Sequence, residues 1–532
     1  MLALIPPAVL LLGALTILIL RRTRPGVGYA WLTGVLSALL ASAFLLFLRW
    51  RLPQQVVVQN WLPLSQFTDS PILGLDSISW LYAMSLGVLA LGTLLTASAR
   101  LQRDVSPTAW AGILSILAVA MLAVYAANLL SLVLTWTLMD LMELVILQAN
   151  SRERRLGVQT VTAFAVRVSG SFLALTAILM ARGQNLPPTF ASLAPREALF
   201  LLIASGLRLG VLPLHLTAVQ GSVARRGLGT ALRMASAASV LPVLARLPAG
   251  AVPAAWQGGL LALSALAVLY GASAWLAAPD ALSARPFWLI ATAGMAVACV
   301  LHGQPLASLA WGVLLILPGA VFFLYSASQP GTVVFPLIAL AGMAGLPFTP
   351  LAAGWSGILP RTFSPLEWAF LFPLPLLMLG ALRFSLMEGE NLRQMERWIQ
   401  VVYPLGLMVL ILGYFLVGVL GLALFPTRES LIGGGVTLAL FALGFGLFNL
   451  ARRRFSGLIE SEALRRSVAQ AGAFLADLFG LMWLYRFIGW LYQRVAGVFD
   501  LFTSLLEGSG GMLWVFVLLA LFISLIRAEV AR

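Results

Sequence analysis

The sequence predicts an all-α polytopic membrane protein, and two observations carry this prediction. Hydrophobic residues make up 61% of the 532 residues, charged residues only 10%, and the mean hydropathy is +0.98. Soluble domains of this total length are far more polar. The apolar residues also form continuous runs, whereas a membrane β-barrel has short segments of alternating hydrophobicity.

Each predicted helix is an apolar run of about 20 residues, the length that crosses a hydrocarbon core of about 30 Å. There are about sixteen runs: 2–20, 29–48, 78–97, 110–127, 129–147, 161–180, 198–214, 227–244, 256–277, 287–301, 305–324, 333–349, 366–386, 401–424, 431–450 and 512–526. The first run lacks a basic segment before it and is followed by Arg21, Arg22 and Arg24. This pattern indicates an uncleaved span and not a signal peptide.

Residues 461–506 differ from the spans, because arginines and aspartates mix there with tryptophans and tyrosines. That mixture favours an amphipathic helix lying on the membrane surface, and one more span over 474–491 is the alternative. The predicted organisation is 1–72 for the N-terminal spans and an external loop, 73–424 for the core, 425–460 for an additional span, 461–506 for a lateral amphipathic helix and 507–532 for the last span.

The arginines predict the orientation of the spans. All 33 Lys and Arg positions are arginine, and the formal net charge is +14. Alternate loops carry twenty and nine arginines, with four more within the spans or at their ends. Because cytoplasmic loops retain basic residues, we expect the N-terminus outside, in the inner or plasma membrane of a prokaryote. The arginines form scattered short clusters and no single stripe, which argues against nucleic acid as a partner.

Ionisable residues inside spans are costly and are therefore candidates for function. Asp140 and Glu143 lie three residues apart and share one face of the fifth span. Arg167 lies in the sixth span and Arg208 in the seventh, five residues before Pro213. The simplest alternative is that the two carboxylates form a satisfied polar pair between helices. His215 could carry protons or could cap backbone groups beside the helix break.

Prolines predict two broken helices. Pro213 removes a backbone donor in the seventh run, and Pro347 and Pro350 do the same in the twelfth. Two interrupted helices five spans apart are typical of transporters built from repeated halves. The sequence therefore predicts two inverted five-helix repeats, each with a broken helix.

A set of short motifs occurs in order between residues 73 and 424. They are Gly74–Ser79 before the third span, Trp136 in the fifth, Arg167 in the sixth, Arg208 before Pro-Leu-His in the seventh, and Asp280 with Gly294 at the tenth. In this order and spacing the chain resembles the antiporter-like membrane subunits of respiratory complex I, Mrp antiporters and membrane-bound hydrogenases. The surface helix before the last span is most similar to the layout of the largest complex I antiporter-like subunit.

The resemblance implies a charge pair between the fifth and seventh spans, and a hydrated axis of lysines and histidines that carries protons. This sequence departs from that pattern at most positions. The replacements are Thr137 for the fifth-span glutamate, Arg208 for the seventh-span lysine, Met234 beside Arg233 for the eighth-span histidine, Leu282 and Ser283 for a lysine pair, Trp311 for the eleventh-span lysine and Gly357 for the twelfth.

Arginine cannot replace a lysine that loads and releases protons, because its guanidinium stays charged in proteins. We therefore expect Arg208 to act as a fixed counter-ion, with Asp140 as its partner. The favoured function is an antiporter-like subunit of a complex I-like or Mrp-like assembly that couples or scaffolds because its own lysine path is largely lost. The alternatives are a proton conduit through Asp140, Glu143 and His215, and an unrelated small-solute transporter.

The sequence predicts neither a catalytic site nor a cofactor or metal site of its own. It contains no Walker loop, no dinucleotide fingerprint and no His or Cys spacing typical of metal ligands, and Cys299 is its one cysteine. Redox chemistry, as in an NADH–quinone-type oxidoreductase, would therefore reside in other subunits. The expected partners are membrane subunits, the lipid bilayer, and protons or Na⁺.

Overall fold

The computed structural model describes residues 1–23, 27–58, 70–101, 106–150, 154–184, 186–216, 226–328, 331–359, 366–387, 389–422, 425–454, 478, 490–491, 493–497, 499–500 and 511–530. The chain divides into two compact units, Met1–Ile459 and Glu460–Arg532. The predicted segments 1–72, 73–424 and all but the last residue of 425–460 lie in the first unit. Most of the predicted lateral helix, 461–506, and of the alternative span, 474–491, lies outside the described residues.

Each of the sixteen predicted runs contains a helix. These are α1 Ile5–Thr23, α2 Val27–Leu48, α3 Ser77–Thr96, α4 Pro107–Val124, α5 Leu129–Asn150, α6 Arg154–Gly183, α7 Pro195–Leu209, α8 Arg226–Arg246, α9 Ala254–Ala277, α10 Arg285–Leu301, α11 Ser308–Leu324, α12 Val334–Gly342, α13 Pro373–Ser385, α14 Arg397–Gly421, α15 Arg428–Arg454 and α16 Gly511–Val530. The prediction of an all-α polytopic membrane protein is confirmed.

Sixteen complete spans are not confirmed. Among the described residues, twelve helices are long and apolar enough to cross a membrane. The other four are α7, α10, α12 and α16. Of these, α10 has 17 residues, and α7 and α12 end at breaks in the chain. The helix α16 has 20 residues, of which the structure describes the side chains of Leu513–Ser524. A hydrophobic run therefore overstates the helix wherever the chain turns inside it.

The break in the seventh run begins before the proline that predicted it. Gly210 adopts a left-handed conformation, with φ of 77°, and ends α7 four residues before Pro213. The backbone N–H groups of Val211 and Leu212 donate to the carbonyl of Gly206 at 2.8 and 3.2 Å. Glycine accepts this conformation because it has no Cβ, so Gly210 sets the position of the break.

The twelfth run is also interrupted, as predicted from its prolines. Its helix α12 ends at Gly342, and a short 3₁₀ helix, Ala352–Gly357, follows the break. Between them Gly345 and Phe348 have φ of 73° and 68°. A left-handed phenylalanine is rare, which marks this connection as a tightly constrained one. The inverted relation of the two halves stays a prediction.

Helices α3, α8 and α11 form the interior of the first unit. About 94% of the apolar window of each is buried, whereas α1, α2 and α15 bury less than half of theirs. Two small sheets connect helix ends. Strands β1 Gln54–Val57 and β2 Ile72–Leu75 pair antiparallel, and strands β3 Ala327–Ser328 and β4 Glu390–Asn391 pair parallel.

Candidate functional site

A buried cluster of four charged side chains lies where α5, α6 and α7 meet. Asp140 and Glu143 come from α5, Arg167 from α6 and Arg208 from α7, and all four are buried. Each carboxylate has a guanidinium within 2.7 Å. Burying an unpaired charge is very costly, so the pairing is what allows these residues to lie inside the protein.

Arg208 has partners on several sides of its guanidinium. Its Nη1 donates to Asp140 Oδ2 at 2.8 Å and its Nη2 donates to Asp140 Oδ1 at 2.7 Å, which is a two-point contact. Nη1 also donates to the carbonyl of Arg167 at 2.9 Å and to Ser171 Oγ at 3.1 Å. The guanidinium carbon lies 4.5 Å from the ring centre of Trp136. These contacts hold the guanidinium of Arg208 in one orientation and place its positive charge against the Asp140 carboxylate.

The local sequence provides the space for this arrangement. Trp136 precedes Asp140 by one helical turn, so both side chains reach the same face of α5. The Trp136 indole is held by a hydrogen bond from its Nε1 to the Ser239 carbonyl on α8, at 2.9 Å. On α6, a Cβ at Gly170 would lie 2.7 Å from Cγ of Arg208. Glycine at this position therefore makes room for the arginine side chain.

The second pair joins α5 to α6. Arg167 Nη1 donates to Glu143 Oε1 at 2.7 Å, and Arg167 Nε lies 3.6 Å from Asp140 Oδ1. Asp140 therefore lies between two guanidinium groups and links the two pairs. On α8, Arg233 is buried, donates to the Gly229 carbonyl at 3.3 Å and lies within electrostatic reach of Glu143.

Thr137 points away from this cluster. Its side chain is exposed on the outer face of α5 together with Leu134, Leu138 and Leu141, and its hydroxyl donates to the Val133 carbonyl at 2.8 Å. The position that the resemblance assigns to a glutamate therefore does not face Arg208 in this chain. Asp140, one turn later, occupies the side of the helix that does.

Two further predicted positions lie after α7 and on α8. His215 is buried in the segment after α7, with Nδ1 2.8 Å from the Pro213 carbonyl. Met234, at the position of the family histidine, is fully buried on α8.

In the second half of the chain, Trp311 and Gly357 are closely packed at positions where the resemblance implies lysines. Trp311 is fully buried, donates from Nε1 to the Gly354 carbonyl at 3.1 Å, and contacts Trp355 edge to face with ring centres 5.7 Å apart. A Cβ at Gly357 would lie 2.5 Å from Cys299 Sγ. A longer side chain at position 357 therefore has no space without displacement of its neighbours.

The lysine-pair positions form a turn that leads into α10. The backbone N–H groups of Leu282 and Ser283 donate to Asp280 Oδ1 at 2.8 and 3.0 Å, and the Ser283 hydroxyl donates to Oδ2 at 3.0 Å. Both carboxylate oxygens of Asp280 therefore accept hydrogen bonds from the turn that follows this residue. Among the described residues, no group of three His, Cys, Asp or Glu side chains could hold a metal ion.

Sequence reasoning missed the buried carboxylates of Glu197 and Glu367, and it named Asp76 only as part of the motif before the third span. Glu197, one residue before the predicted seventh run, is buried and accepts from Gln184 Nε2 at 3.0 Å. Asp76 accepts from Ser79 N–H at 2.7 Å and lies 3.2 Å from Arg246, and Glu367 lies 3.9 Å from His302. The partner of Asp76 is 170 residues away in sequence, so no local pattern could have identified it.

Comparison with known structures supports the fold. A chain of the Mrp complex from Dietzia sp. DQ12-45-1b superposes with a TM-score of 0.67 at 16% identity, over 95% of this chain and 63% of that one. This chain therefore spans less than two thirds of that Mrp chain. A chain of the membrane-bound sulfane sulfur reductase, an archaeal respiratory membrane complex, gives 0.66 at 15% identity, over 98% and 99%.

A chain of respiratory complex I from Thermus thermophilus with bound NADH gives a TM-score of 0.61 at 20% identity, over 83% of this chain and 99% of that one. No protein-family model matches the sequence, and no curated protein matches it. The fold is therefore that of membrane subunits in Mrp, sulfane sulfur reductase and complex I assemblies, as the sequence resemblance predicted.

Proposed function

We propose that this chain is an antiporter-like membrane subunit of a multi-subunit ion-translocating assembly, and that it couples or scaffolds because its own lysine-based path is largely lost. The fold supports the first part of this proposal, since the similar chains belong to multi-subunit membrane complexes. The residues along the axis that the resemblance implies support the second part.

The observation that carries the proposal is the closed pairing of Arg208 with Asp140. A proton relay needs a group that changes protonation and changes partners during turnover. A guanidinium does not exchange its proton in proteins, and that of Arg208 is held by two contacts to one carboxylate and by the Trp136 ring. It therefore acts as a structural counter-ion that joins α5 to α7.

The second half supports the same proposal. Trp311 and Gly357 stand where the resemblance implies protonatable lysines, and they are packed against Trp355 and Cys299. An indole ring offers one N–H donor and no acceptor, and this N–H is already bound to the Gly354 carbonyl. A chain of waters needs polar groups at such positions to sustain it.

The test is to replace both members of the Arg208–Asp140 pair together, so that neither is left buried without the other. In the intact complex, reconstituted in liposomes with a pH-sensitive dye, we expect Arg208→Met combined with Asp140→Leu to preserve ion translocation. Replacing both partners of a buried pair by apolar residues is tolerated far better than removing one. Loss of translocation in a complex that still assembles would contradict the proposal.

A second candidate function is a shifted proton path through Asp140, Glu143 and His215. It is favoured by two buried atoms, Glu143 Oε2 and His215 Nε2, that have no hydrogen-bond partner among the described residues. Such atoms can accept or carry a proton if ordered water reaches them. Glu143→Gln distinguishes the two functions, because only the shifted path predicts that it stops translocation while the complex remains assembled.

We infer further that the chain lies in the inner or plasma membrane of a prokaryote with its N-terminus outside, as the arginine asymmetry of its loops predicts. Electron-transfer cofactors, where the assembly has them, would be held by other subunits. The translocated ion would be H⁺ or Na⁺.

A further inference from the structure

We propose that a groove between the end of α3 and the start of α14 binds the headgroup of a phospholipid that carries both a phosphate and a primary amine, as phosphatidylethanolamine does. The groove has a volume of about 460 Å³, and Arg100, Glu390, Glu396 and Trp398 are among its lining residues. It thus combines one cation and two carboxylates with an aromatic ring.

Arg100 provides the phosphate side of the site. Its Nη2 donates to Ser326 Oγ at 3.1 Å, which holds the guanidinium beside the groove. Arg226 is close enough for the two positive charges to act on each other, and it donates to the Phe323 and Tyr325 carbonyls at 2.9 Å. Arg100 and Arg226 repel each other, and the carboxylates of Glu390 and Asp280 oppose this effect on Arg226. A phosphate beside Arg100 would oppose it further. The planar guanidinium also matches the geometry of phosphate oxygens.

The two glutamates provide the amine side. Glu390 Oε2 is buried and accepts no hydrogen bond from the described residues. Glu396 is exposed, and its Oε2 accepts from Trp398 Nε1 at 2.5 Å. A primary ammonium has three N–H donors, enough to satisfy both carboxylates at once. A headgroup with negative charge alone would offer no donor to Glu390 Oε2 and would place a like charge beside both carboxylates.

The surface beside the groove is suited to the acyl chains. Trp398 forms part of the groove, is 40% exposed, and its ring centre lies 5.7 Å from that of Trp31 on α2. Tryptophan is enriched at the headgroup level of membranes. From Trp398 an exposed apolar stripe continues along α14 through Val401, Leu405, Met408 and Leu412. One lipid can therefore place its headgroup in the groove and a tail on this stripe.

The experiment measures lipid binding to the delipidated full-length chain in detergent by native mass spectrometry, with thermal unfolding as a second readout. The probes are phosphatidylethanolamine, phosphatidylcholine and phosphatidylglycerol with identical acyl chains. We expect phosphatidylethanolamine to bind tightest, because the quaternary ammonium of phosphatidylcholine has no N–H to donate. Equal binding of all three lipids, or a preference for phosphatidylglycerol, would overturn the proposal.

A variant tests the site itself. Glu396→Gln removes one carboxylate at an exposed position, and we expect it to weaken phosphatidylethanolamine binding about two- to fivefold, as for a single exposed ion pair. The matched control is Glu429→Gln at the start of α15, which should leave binding unchanged. The same affinity in both variants would contradict the site.

A probe without acyl chains tests the contribution of the α14 stripe. Water-soluble glycerophosphoethanolamine has the headgroup alone, and we expect it to bind more weakly than the lipid. Equally tight binding would show that the α14 stripe contributes nothing and would overturn the lipid assignment.

Discussion

At the scale of single residues, the buried cation that pairs with Asp140 is an arginine, and it donates to two acceptor atoms at once. Arg208 contacts both oxygens of Asp140, and a lysine ammonium in its place would be a point charge without the fork that reaches both. The sequence suggested this partner because Asp140 lies one helical turn from Thr137, the fifth-span position that the resemblance pairs with the seventh span. The pairing of Arg167 with Glu143 was not anticipated, since it depends on the rotation of α6 about its axis.

The cluster predicts a graded response to neutralising single residues of α5. Asp140→Asn leaves two buried guanidinium groups without their shared partner, and we expect a loss of about 3 to 5 kcal/mol in the free energy of unfolding. Thr137→Ala, three residues away on the exposed face, should change it by less than about 0.5 kcal/mol. Chemical denaturation in detergent micelles measures both variants. Similar losses for the two substitutions would show that Asp140 lacks the central place assigned to it.

At the scale of helices, arginines join the end of one helix to another element. Arg49, after α2, donates from Nε and Nη2 to the Leu420 carbonyl near the end of α14, at 3.1 and 2.6 Å. Arg226, at the start of α8, donates to two carbonyls at the end of α11. The last carbonyls of a helix have no partner within it and carry partial negative charge, so a guanidinium satisfies both needs. Composition alone could show the absence of lysine but not this use of arginine.

Replacing one of these arginines by lysine tests the role of the guanidinium. Arg49→Lys keeps the charge but loses the second N–H contact and the stacking on Trp80, whose ring centre is 5.2 Å away. We expect a stability loss of about 1 to 2 kcal/mol. Arg51→Lys, two residues later and exposed, is the control and should cost less than about 0.5 kcal/mol. The temperature of unfolding, followed by intrinsic tryptophan fluorescence, reports on both.

The end of α7 gives a second prediction at this scale. Gly210→Ala places a Cβ on a residue with φ of 77°, which should destabilise the protein by about 1 to 2 kcal/mol. Gly258→Ala in α9, where the added Cβ meets open space, should instead stabilise it by up to about 1 kcal/mol. In a thermal unfolding assay we expect Gly210→Ala to lower the unfolding temperature and Gly258→Ala to raise it. Sequence reasoning placed the break at Pro213 because proline is the stronger helix breaker, whereas the backbone conformation of Gly210 decides where the helix ends.

At the scale of the whole molecule, the two halves differ at the positions where the resemblance implies ionisable residues. The first half retains buried charges, but they are paired with one another around Asp140. In the second half, Trp311 is packed against Trp355. Comparison of this sequence with the family motifs identified which residues stand at the implied lysine positions. The packing that surrounds them could not be predicted, because it joins residues from α10, α11 and the 3₁₀ helix after the second break.

The orientation of the chain in the membrane can be tested with single cysteines. The natural Cys299 is fully buried, and Cys299→Ala provides a background for labelling. In intact cells we expect a membrane-impermeant maleimide to label Phe425→Cys, between α14 and α15, and to leave Gln394→Cys, before α14, unlabelled. This result follows from the N-terminus outside and the arginine-rich loops inside. The reverse pattern would show the opposite orientation.

The close packing at Gly357 has a consequence for how this chain can change over generations. A lysine at this position would collide with Cys299 and Ala307, and a lysine in place of Trp311 would bury a charge and leave a void. Each of these two substitutions alone is therefore expected to destabilise the fold. A chain that accepted a lysine at either position would also need changes among the side chains that surround it.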